Sequence, residues 1–160
     1  MTRIVYFVFI TLTCCTIMWG NAAELRNLRV QGEEYTSACV PQNKTSLKRQ
    51  LTEDAWRLVE TLLCEKKSTN SKAYLATHIG KTIKYALTET GSTNQTRKTA
   101  VNAALIDSLL SEGAAWDAEL TIGKTEIILK FMPNEACVRS RTLQLSKNIW
   151  KITGLGEACD

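Results

Sequence analysis

Between Trp116 and Ile152 apolar and polar residues alternate through two successive segments, each folded about a turn, and this pattern constrains the fold more than any other part of the chain. Taking Gly123-Lys124 as a two-residue turn, with glycine at the first central position as a type II′ turn requires, pairs Ile122 with Thr125. Leu120 then faces Ile127, Ala118 faces Leu129 and Trp116 faces Phe131 on one side, while Asp117 faces Lys130 on the other. A slip of one residue would mix the apolar and polar faces. With Lys147-Asn148 as the second turn, Leu145 meets Trp150 and Leu143 meets Ile152. Counting outward, Arg141 faces Gly154, Arg139 faces Gly156, and Cys137 arrives opposite Ala158, beside Cys159.

That last neighbourhood matters because of the compartment. The chain opens with Arg3, runs uncharged from Ile4 to Trp19 and reaches Gly20-Asn21-Ala22-Ala23, the layout of a secretory leader cut near Ala22/Ala23. Sixteen uncharged residues are short of the ~20 that a spanning helix needs, so no stable membrane insertion is expected. The expected organisation is a signal peptide at 1–22 and a single α+β domain at 23–160, secreted or periplasmic. Of six cysteines, Cys14 and Cys15 leave with the leader; Cys39, Cys64, Cys137 and Cys159 remain. An even number in an exported chain points to disulfides. Zinc is the alternative, but no cysteines are closely paired and His78 is the one histidine, so no metal and no cofactor are expected. The hairpin register selects Cys137–Cys159 and leaves Cys39–Cys64, each closing a loop worth about 3 kcal/mol in the chain-entropy treatment.

Ahead of the hairpins the spacing is that of helices. Leu47, Leu51, Ala55, Leu58 and Leu62 place a helix over 46–66, with Ser46 or Thr52 as its cap. Leu75, Ile79, Ile83 and Ala86 place a second over 71–89, stopped by Gly91; Val101, Leu105 and Leu109 place a third over 96–112, stopped by Gly113. The expected fold is therefore three helices packed on a four-stranded antiparallel sheet made of two hairpins, 116–132 and 138–153, and stabilised by disulfides. Residues 24–43 form an irregular lead-in. The sequons at Asn43 and Asn94 fall between these elements, where a glycan is tolerated.

Three helices followed by an antiparallel sheet ending in Trp150-Lys151-Ile152 resemble, in layout and in that tripeptide, the cone-shaped α+β domains of the nuclear-transport-factor-2-like and cystatin-like types. The resemblance implies a pocket between helices and sheet and carries over no site residue.

The chain holds no nucleophile elbow, no metalloprotease helix and no phosphate-cradling glycine loop, which leans against an enzyme. Tyr74, His78 and Lys81, with Tyr85 beyond, line one face of the second expected helix. They suit a small hydrolase, although aromatic rings that extend the core and send polar tips to water are the commoner use of such a strip. At the open end of the second hairpin, Arg139 and Arg141 over Gly154 and Gly156 make a recess for a carboxylate or phosphate. A solvated rim beside Glu157 is the commoner use of such residues. The formal charge of +4, falling to +3 without Arg3, is too small for nucleic-acid binding. The expected function is an exported non-enzymatic protein-interaction domain, a secreted effector, an inhibitor, or a periplasmic immunity or secretion-accessory protein, whose protein partner presents an anionic group. Alternatives are a small-ligand carrier with its pocket under Trp116, Phe131 and Trp150, or the small hydrolase.

Overall fold

The computed structural model describes residues 26–30, 37–89 and 95–160. The leader and the Asn94 sequon lie outside the described residues. In chain order the elements are β1 Arg26–Val30, α1 Pro41–Lys48, α2 Glu53–Cys64, α3 Thr69–Thr77, β2 Ile79–Glu89, β3 Gln95–Ala100, α4 Ala103–Leu109, β4 Trp116–Ile122, β5 Glu126–Asn134, β6 Cys137–Ser146 and β7 Ile149–Cys159. The α+β class and both disulfides, Cys39–Cys64 and Cys137–Cys159, are as expected.

The helical half is broken up where local chemistry demands it. Pro41 starts α1, where its missing N–H costs nothing. Thr52 is extended, and its hydroxyl accepts from Ala55 N, so the expected 46–66 helix becomes two, with a new N-terminus at Glu53. Asn43 falls inside α1, its amide donating to Ser37 O at 3.1 Å, rather than between elements. Ser68 and Ser71 form a reciprocal capping box for α3.

The expected helix over 71–89 ends at Thr77 and continues as strand β2; the expected helix over 96–112 is strand β3 followed by α4, capped by Asn102. Residues four apart satisfy both periods, because four is two strand repeats as well as about one helical turn. Leu75, Ile79 and Ile83 therefore fit either pattern, while Gly80, Thr82 and Ile83 disfavour helix and Thr96 and Thr99 favour strand.

The four expected strands are the centre of a seven-stranded sheet in the order β1-β4-β5-β6-β7-β2-β3. Strand β1 adds to one edge and the β2–β3 hairpin to the other, with β2 parallel to β7 and every other pairing antiparallel. In the first hairpin Leu120 pairs with Leu129 and Ile122 with Ile127, a register two residues from the expected one. A shift of two preserves facing, so the apolar side stays apolar. A bulge near Asp117, whose φ is 49°, then returns Trp116 to Met132. The second hairpin has the expected pairs at its turn, Leu145 with Trp150 and Leu143 with Ile152. Thr153 is an extra residue in β7, and beyond it Thr142 pairs with Gly154, Arg141 with Leu155, Arg139 with Glu157 and Cys137 with Cys159.

Helix α2 buries Leu58, Val59, Leu62 and Leu63 in the same cluster as Leu120, Leu129, Leu143 and Ile152 from the sheet. Full burial of each such side chain contributes about 1.5–3 kcal/mol. The C-terminal carbonyls of α2 are satisfied by the segment after α4: Ser111 N donates to Leu62 O at 2.9 Å and Gly113 N to Leu63 O at 2.8 Å. The Cys39–Cys64 bond ties the chain before α1 to the same helix end. No helix among the described residues is long and apolar enough to cross a membrane.

Candidate functional site: an arginine cluster and a helix-end groove

The bulge at Thr153 splits the expected recess. Arg139 and Arg141 alternate with Leu143 onto the core side of β6, whereas Gly154 and Gly156 face Thr142 and Ser140 on the opposite side. The glycines there are explained by packing: a Cβ on Gly156 would collide with Ser140 Oγ, and one on Gly154 would come within 3.0 Å of Thr142 Oγ1. They floor a shallow depression of about 350 Å³ on the outer face, bordered by Lys84, Thr96 and Gln144. The arginines are not above them.

Arg141 instead lies 4% exposed, its guanidinium 5.4 Å from the centroid of the Phe131 ring. Nη1 donates to Ser140 O at 2.8 Å, while Nε is buried with no partner. Among the described residues no carboxylate stands within ion-pair distance of it. Burial, and then the neighbouring charge of Arg139, pull its pKa down to about 10. Glu157, whose charge acts on Arg141, is engaged elsewhere: Arg139 Nη2 is 3.4 Å from its Oε1 and the Tyr85 hydroxyl donates to its Oε2 at 3.3 Å. Burial and Glu157 together hold the Tyr85 hydroxyl above its ordinary pKa. Arg97, exposed on β3, sits with its guanidinium 5.8 Å from the Tyr85 ring. Arg139 thus sits on the Glu157 carboxylate, Arg141 feels its charge, and Arg97 joins through the Tyr85 ring. Sequence reasoning set Glu157 beside the two arginines but missed Arg97 and Tyr85 as members. They arrive through the β2–β3 hairpin and its parallel pairing with β7, which sets Tyr85 beside Leu155 and leaves no local signature.

The expected Tyr74/His78/Lys81 strip is not assembled, since α3 stops at Thr77 and Lys81 is an exposed residue of β2. Tyr74 and His78 remain together at the helix end, ring centroids 4.1 Å apart. They line a groove of about 360 Å³ with Asp54, Arg57, Thr77 and the turn residues Asn148, Ile149 and Trp150. Trp150 thus borders this groove with α2 and α3, whereas Phe131 lies under Arg141. His78 Nδ1 is 2.8 Å from Tyr74 O and 2.9 Å from Thr77 Oγ1, which holds the ring against the end of α3. The remaining cluster of metal-ligand type among the described residues, Cys137, Glu157 and Cys159, has its two sulfurs committed to the disulfide.

No protein-family model and no curated protein matches this chain. Among solved structures it is similar to a DUF4783 family protein from Bacteroides fragilis YCH46, with a TM-score of 0.41 and 9% identity over 69% of this chain and 99% of that one. At that level the likeness carries no argument about function.

Proposed function

We propose that this chain is an exported, non-enzymatic protein-interaction domain, of the effector, inhibitor, immunity or secretion-accessory kind, whose partner presents an anionic group to Arg97, Arg139 and Arg141. The observation that carries the reading is Arg141, a buried guanidinium with an unbonded Nε and, among the described residues, no carboxylate within ion-pair distance. A buried charge without a counter-charge is costly to the free protein, and an incoming carboxylate or phosphate removes that cost while gaining charge-assisted hydrogen bonds. Arg139 and Glu157, with side chains 32% and 25% exposed, form the accessible side of the cluster. Glu157 is the internal anion with which the partner competes.

The two disulfides fit a secreted or periplasmic address. The leader expected from Arg3 to Ala23 is part of the same proposal. The test is a pull-down with the protein lacking residues 1–22, comparing wild type with the Arg97→Glu, Arg139→Glu double variant, whose circular dichroism and melting temperature are checked first. A folded variant should lose the partner, and wild-type binding should weaken with salt. Capture of the same partner at unchanged affinity by the folded variant rules the cluster out.

A further inference from the structure

The groove at the end of α3 is chemically unlike the arginine cluster, and its parts converge from three places in the chain. Tyr74, Thr77 and His78 are the last turn and C-cap of α3, Asp54 lies in the first turn of α2, and Ile149 and Trp150 follow the tight β6–β7 turn. That turn is made by Lys147 and Asn148, both left-handed with φ of 51° and 61°, which brings the start of β7 back toward the helices. Its walls are apolar: Ile149 is 48% exposed although it is a large aliphatic side chain, and the Tyr74 and Trp150 rings stand beside it.

The polar groups of the groove are biased toward acceptors. Asp54 has no ion-pair partner among the described residues, whereas Arg57, the one cation in the lining, is held 3.0 Å from Glu65 and stacked 5.5 Å over Tyr74. The C-terminal end of α3 adds its partial negative charge. Aromatic faces themselves attract cations. A volume of about 360 Å³ is at the small end of ligand sites, room for a molecule of roughly a dozen heavy atoms.

We propose that this groove binds a small ring-bearing organic amine, its ring against Ile149, Trp150 and Tyr74 and its ammonium group on the Asp54 side. Nothing in the Arg97/Arg139/Arg141 cluster takes part, so the two sites stand or fall separately.

Three probes sharing one ring separate the contributions: tryptamine, indole and indole-3-acetate, titrated into the protein lacking residues 1–22 and followed by backbone amide shifts in NMR. Tryptamine should saturate shifts at residues 74–78 and 148–150 and bind about fivefold more tightly than indole, the ratio that an exposed ion pair of up to ~1 kcal/mol supplies; indole-3-acetate should bind most weakly. Asp54→Asn, which keeps a polar side chain in the first turn of α2, should bring tryptamine down to the indole level and leave indole unchanged. Ile149→Ser should weaken tryptamine and indole alike. The Arg97→Glu, Arg139→Glu variant should bind tryptamine as wild type does. No saturable shift at these residues at millimolar tryptamine, equal affinity for the amine and the acid, or an undiminished amine preference in Asp54→Asn each overturns the proposal.

Discussion

Replacing Arg141 by methionine should stabilise the free protein. The side chain is 4% exposed, and burial, followed by the charge of Arg139, pulls its pKa down to about 10, a penalty of about 3 kcal/mol on the charged form. Much of that penalty is the desolvation of a charge whose Nε has no partner. Against it stand the Nη1 bond to Ser140 O and the stacking on Phe131, together about 2 kcal/mol. Methionine removes the charge and the unbonded donor, fills a similar volume and keeps a sulfur contact with the Phe131 ring. The balance is a gain on the order of 1 kcal/mol, or about 3 °C in Tm for a domain of this size. Replacing buried charges by apolar groups of matching volume has this sign in general. Urea unfolding with intact disulfides, followed by circular dichroism in chloride buffer, measures it. Alanine at the same position should instead cost 2 kcal/mol or more through the cavity left beside Phe131 and Leu155. If methionine destabilises the free protein by more than about 2 kcal/mol, Arg141 is a net structural contributor and the case for an anion site at it fails.

Gly156→Ala should cost about 1–3 kcal/mol, because the new methyl group collides with Ser140 Oγ, and Ser140→Ala in the same chain should restore most of the loss; a double variant no better than the single one would show that the strain lies in the backbone. Tyr74 and Tyr85 should ionise above pH 10, burial being the first cause for both, with Glu157 adding to it at Tyr85. Their folded pKa values exceed the unfolded value, so their contribution to stability is complete below pH 10 and is lost as pH rises through the folded values. Absorbance titration at 295 nm of wild type, Tyr74→Phe and Tyr85→Phe should remove one late-titrating phenol in each variant. Thr52→Ala should cost about 1 kcal/mol by removing the cap of α2, measured by thermal unfolding.

How much of this was legible from the residues depends on the range of the interaction. The β6–β7 turn and the pairs Leu145–Trp150 and Leu143–Ile152 followed from alternation, because one wrong step inverts every side chain. Both disulfides followed from that register and from an even cysteine count. A bulge has no such signature. Thr153 moves the pairing by one residue, which brings Cys137 directly opposite Cys159 but takes Gly154 and Gly156 out from under Arg141 and Arg139. The helix expected over 71–89 failed halfway because Leu75, Ile79 and Ile83 recur at an interval that both periods accept, and β-branched content with Gly80 was the cue that decided it. The arginine cluster was half visible. Arg139 and Arg141 were adjacent on one face of a strand, whereas Arg97 and Tyr85 belong to a hairpin that joins the sheet only through parallel pairing with β7.

The most direct measurement is the thermal unfolding of wild type and Arg141→Met in chloride and in citrate at matched ionic strength. Citrate stabilises most proteins by exclusion from their surfaces, and that part is common to both. A specific anion adds RT ln(1 + [L]/Kd) to wild type alone, about 2.7 kcal/mol at a hundredfold excess over Kd. The citrate-induced rise in Tm should therefore be several degrees larger for wild type than for the methionine variant; equal rises in the two proteins would contradict an anion site at Arg141.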